Sequence, residues 1–192
     1  MRLTRTSAPA GLPVSLDTVK LHCRVDSDDE DVLITSLIGA AVDYLDGPSG
    51  ILGRAILQQT WQLERDSWFD TLALPLEPID SVVLTYTDAA GDSQTVAAEN
   101  YELVRQPSQR TRIVLKDSFT RPALNTSASY PVQIAMVAGY ADADAVPEAI
   151  KVAIQLMVGH WYLNREAVAL GSIATEIPMG ASALLARYRV LL

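Results

Sequence analysis

Cysteine is almost missing from this chain. Cys23 is the single one in 192 residues, so no disulfide forms within the chain and no multi-thiolate zinc site can be built. Histidine is nearly as scarce, with His22 and His160 alone, so neither a metal nor a metal-dependent cofactor is expected. No apolar run approaches the roughly 20 residues needed to span a bilayer. Residues 1–13 lack the hydrophobic centre of a secretory signal. The chain is therefore expected to be soluble, unexported, made in the cytoplasm and without a membrane partner. Basic residues are outnumbered, 15 Lys and Arg against 23 Asp and Glu, for a net charge of −8. That balance argues against a general nucleic-acid binder, which needs a basic surface or stripe.

What is present is an ordinary globular composition, 49% hydrophobic and 20% charged, long enough to remove about 70% of the unfolded surface from water. The charge is unevenly placed. Between residues 15 and 50 eight acids face Lys20 and Arg24, a net of −6, whereas from residue 151 four bases outnumber Glu166 and Glu176, a net of +2. Ends of opposite sign suit head-to-tail contact between copies, or docking on a second protein.

Residues 1–14 contain Pro, Gly and two Arg without periodicity and read as a mobile arm. Ser15 can cap a short helix with Leu16, Val19 and Cys23 on one side. In DSDDEDVLITSLIGAAVDYLDG, Ile34, Leu37, Ile38, Ala41 and Leu45 follow helical spacing behind a run of acids that suits a helix start. From Ile56 the period changes to two, in QQTWQLER, TLALPL and SVVLTYTD, with a turn at DAAGD and further strands around Tyr101, Arg112 and Pro131. Residues 117–130 read as a long loop. Helical spacing returns after Val146, with Ile150, Ala153, Ile154, Met157 and Trp161 as one stripe and Val152, Leu156 and Leu163 as another. This helix, about 28 Å long if it reaches Arg165, has so little polar surface that it must be contacted on most sides. The fold class is α+β: a small helical bundle (15–50 and 146–192) with an antiparallel β-region (56–140) inserted between its second and third main helices, 15–192 forming one domain.

Catalytic signals are weak. His160 and Asn164 share a helix side, as do Trp161 and Arg165, so a His and an Arg are available for acid–base work, but no nucleophile accompanies them. DSDDED fails as a calcium loop because Asp31 and Leu37 stand where Gly and a bidentate acid are needed. GASAL, with Leu184 in place of the final Gly, is not a nucleophile elbow. Arg105, Arg110, Arg112, Lys116 and Arg121 cluster within the β-region and could touch phosphate.

The ordered set DSDDEDVLITSLIGAA, QTWQL, SVVLTYTDAAG, AGY, VPEAI, GHWYLNREAV and IPMGASALLARYR resembles the head-tail connector (adaptor) proteins of long-tailed phages and gene transfer agents. The likeness runs from about Leu16 to Arg189. It implies a structural protein with no catalytic residues and no cofactor. About twelve copies would form a ring beneath the portal protein, extend the DNA channel without sequence-specific contacts, and offer a platform for a stopper or tail protein. Such a subunit would be assembled in the cytoplasm of the producing cell and end in the neck of the particle. The resemblance maps portal docking onto Leu184, Leu185, Arg187, Tyr188 and Arg189. The helix with too little polar surface puts the contact between copies at Trp161, Tyr162, Arg165 and Glu166. Because Leu184, Leu185 and Tyr188 have few local partners by sequence, truncation after Gly180 is expected to leave a folded monomer. Two other readings stand beside this one: a small hydrolase-like enzyme using His160 and Arg165, and a nucleic-acid-binding module using the Arg105, Arg110, Arg112, Lys116 and Arg121 cluster.

Overall fold

The computed structural model describes residues 1–106, 109–164 and 178–190. They belong to two compact units, one made of Met1–Pro9 and Gln58–Gly139, the other of the described parts of Ala10–Leu57 and Tyr140–Leu192. With four helices and two antiparallel sheets among the described residues, the class is α+β.

The first unit holds the strands β1 (Arg2–Ser7), β2 (Gln59–Arg65), β3 (Thr71–Ala73), β4 (Ile79–Thr87), β5 (Ser93–Thr95), β6 (Tyr101–Val104), β7 (Arg112–Leu115) and β8 (Val132–Ala138). They form a five-stranded sheet in the order β1-β2-β8-β4-β5 and a three-stranded sheet in the order β3-β7-β6. The two-residue period read from the sequence gives β2, β7 and β8 an alternating buried side. Leu63 of β2 stands opposite Ile134 of β8, which stands opposite Leu84 of β4, and all three are fully buried. Such directly opposed pairs are the unit of sheet stability. At the DAAGD turn the Asp88 carboxylate accepts from the N–H groups of Ala90 and Asp92, at 3.0 Å each, and Gly91 takes φ +96°, a backbone state that favours glycine. Residues 117–130 contain no strand.

The N-terminal segment corrects the sequence reading. Arg2–Ser7 is not a mobile arm; it is the edge strand β1, paired antiparallel with β2. Arg2 donates to the Glu64 carboxylate at 3.0 Å. The Arg2 guanidinium lies 5.8 Å from the Tyr130 ring centre, and that of Arg5 lies 5.9 Å from Trp61. An edge strand largely open to solvent does not need apolar alternation, so the hydrophobic pattern misses it.

The second unit is a bundle of α1 (Leu16–Cys23), α2 (Asp31–Leu45), α3 (Glu148–Leu163) and α4 (Met179–Leu185), followed by a 3-10 turn, Ala186–Tyr188. Ser15 caps α1 by accepting from the Thr18 N–H at 3.2 Å. Arg24, at φ +57°, closes it in the left-handed conformation, as a helix end commonly does. Val19, Ile34, Ile38, Leu45, Ile154 and Met157 are fully buried in a shared core. Each such side chain contributes about 1.5–3 kcal/mol by leaving water. As its sparse polar surface requires, α3 packs against α1, α2 and α4. No described helix is long and apolar enough to cross a membrane.

Candidate functional site

The acidic run between α1 and α2 is partly structural. Lys20, buried at the end of α1, places its ammonium 2.6 Å from Asp28 and 2.7 Å from Asp31. Hydrogen bonds to those two carboxylates hold the Lys20 pKa well above its ordinary value, and the bond to Lys20 lowers that of Asp28. The run read as a solvated helix start therefore also ties α1 to the start of α2. Asp26, Asp28 and Asp29 remain exposed, with Val32 82% exposed beside them.

The C-terminal end of α3 carries the histidine, tryptophan and tyrosine of GHWYLNREAV. The His160 carbonyl accepts from the backbone N–H of Asn164 at 3.1 Å and from its side-chain amide at 2.8 Å. That is a helix-end tie and assembles no catalytic pair. Trp161 and Tyr162 are half-buried against the bundle's own core, and the Tyr162 hydroxyl donates to the Glu30 carboxylate. Arg165 and Glu166 lie outside the described residues. On another side of α3, an open recess of about 470 Å³ is lined by His22, Cys23, Arg24, Leu156, His160 and Leu163, with Gly159 at its floor. Burial raises the Cys23 thiol pKa, the opposite of what an activated nucleophile needs. Among the described residues no three metal-ligating side chains come together.

The C-terminal segment also differs from its sequence reading. Leu185 is fully buried in the bundle core with Ala181, and Leu184 and Tyr188 pack against that core. The Arg54 guanidinium donates to the Tyr188 carbonyl, and the Val190 N–H donates to Leu52 O at 2.9 Å. Leu185 is thus unavailable for docking, and the outward side chains of the expected set are those of Arg187 and Arg189. Sequence reasoning missed this because a seven-residue helix gives too short a pattern to show which side faces a neighbour.

The basic cluster of the β unit is largely spent on its own loops. Arg105 donates to the carbonyls of Ile79 and Asp80 at 3.2 and 3.1 Å, and Arg110 to that of Pro75 at 3.3 Å. Arg121 is paired with Asp70. The contacts of Arg105 and Arg110 hold backbone carbonyls in place, and that of Arg121 neutralises Asp70.

Residues 13–103 match the phage gp6-like head-tail connector protein family. Three solved structures match over 100% of this chain and 97% of theirs. One is the neck of an empty gene transfer agent particle computed with C6 symmetry, at 26% identity and a TM-score of 0.78. Another is the virion of a native gene transfer agent particle, at 26% and 0.77. The third, the neck of a native gene transfer agent particle computed with C12 symmetry, matches at 23% and 0.72 and bears on the fold alone. Comparison with curated proteins gives no match. The chain is thus similar to phage head-tail connector proteins over residues 13–103 and to chains of gene transfer agent particles over its full length.

Proposed function

We propose that this protein is a structural connector subunit in the neck of a phage or phage-like particle, where copies of it form a ring between the portal protein and the tail. The observation that carries the reading is the likeness over the full chain, at 26% identity, to a chain from a gene transfer agent neck. The ring follows from the symmetry named for that neck. In this reading the subunit performs no chemistry. Twelve copies is the number we propose, with a portal above and a stopper or tail protein below. Outward Arg187 and Arg189 supply the portal-facing charge, and assembly takes place in the cytoplasm of the producing cell.

The acidic balance fits passage of DNA through such a ring. A net charge of −8 repels phosphate and keeps the duplex from adhering. The test is genetic and visual. Removing the chain should leave heads without tails, and imaging of intact particles should place it in the neck. Tailed particles assembled in its absence would overturn the reading.

A further inference from the structure

We propose that the recess beside the end of α3 receives the acidic start of α2 from a neighbouring copy, so that the ring closes by head-to-tail contact between these two corners of the helical unit. The proposal rests on the ring reading and adds to it which surfaces meet.

The two corners are complementary. At the start of α2, Val32 is 82% exposed amid exposed Asp26, Asp28 and Asp29, and the lysine of that corner is already held by Asp28 and Asp31. The recess offers Arg24, His22 and His160, and among the described residues no carboxylate lines it. Its apolar side is equally uncovered: Leu163 is 79% exposed. An apolar knob ringed by acid thus matches an apolar hollow rimmed by base, whereas a corner facing its own kind would set acid against acid.

Their placement suits a ring. Tyr162 faces the start of α2 through its bond to Glu30, and the next residue, Leu163, lines the recess. One helical residue turns about 100° and rises about 1.5 Å. The two corners therefore sit at one level of the bundle on different sides of α3. Unlike patches at one level make a heterologous contact, the kind that closes into a ring.

Cys23 lies in the recess, which supplies half of a cross-link. Val32→Cys particles, mildly oxidised, should give a ladder of covalent multimers of this chain. Wild type and the V32C/C23S protein should not. A complete ring in V32C necks without a ladder would overturn the contact, as would dimers from V32C/C23S, which would show that like corners meet. Charge provides an independent arm. R24D and D29R should each lower neck occupancy about tenfold, and the two together should recover it to within about threefold. A double variant no better than either single one would also sink the proposal. If wild-type necks contain no ring of this chain, the connector reading itself fails; a ring with neither ladder nor charge rescue removes the contact alone.

Discussion

The His22 ring lies so close to Gly159 that a Cβ added at that glycine would sit 3.2 Å from its Cδ2 and Nε2 atoms. The contact accounts for a buried glycine near the C-terminal end of α3, where helix propensity disfavours it by about 1 kcal/mol relative to Ala. Gly39 of α2 is the control, since nothing lies within 4 Å of a Cβ there.

The pair makes a stability prediction. Gly39→Ala should stabilise the protein by about 0.5–1 kcal/mol in urea unfolding. Gly159→Ala should gain less, because the His22 ring must shift to admit the methyl group. Equal gains at the two positions would show that His22 exerts no constraint on α3.

Acid should loosen the join between α1 and α2. Asp28 has its pKa lowered by the Lys20 bond, so it contributes stability that is present above its unfolded pKa, about 3.9, and lost as pH falls through the lower folded value. Lys20, with its pKa raised, contributes stability that is complete below its unfolded pKa of about 10.4 and lost only as pH rises through the folded one. Replacing Lys20 with Met should flatten the acid limb of a stability–pH profile below about pH 4. An unchanged acid limb would rule out this pair as its source.

The C-terminal turn is expected to behave as core. Leu185→Ala should cost about 2–5 kcal/mol, as loss of a fully buried leucine does, and truncation after Gly180 should lower the thermal midpoint. An unaltered midpoint would restore the reading of this segment as a detachable docking tail.

DNA retention should be at background at physiological salt, and replacing Arg112 and Lys116 together should leave it there. Filter binding across a salt series checks this. A steep salt-dependent signal, abolished by the double replacement, would revive the nucleic-acid-binding reading.

Much of the fold was legible because its periods are strong. Ile34, Ile38 and Leu45 fell at helical spacing and are in the core, as are Ile150, Ile154 and Met157. Trp61, Leu63 and Leu84 announced strands. What stayed hidden depended on distant partners. RLTRTS carries no strand pattern of its own, and its pairing comes from β2, more than fifty residues further on. The division of the β-region into two sheets was invisible for the same reason. The recess was unreadable because it brings His22 from one end of the chain against Gly159 from the other, and neither residue signals the meeting.

Strand β8 sits in the middle of the five-stranded sheet, between β2 and β4, yet is the last of its strands to leave the ribosome. Until Val132–Ala138 is made, β2 has β1 on one side and no partner on the other, and β4 has only the short β5. The sheet therefore closes late and through long chain loops, whose entropy slows folding. During synthesis the nascent β4 and β2 edges are the parts of this protein most exposed to unwanted pairing with other chains.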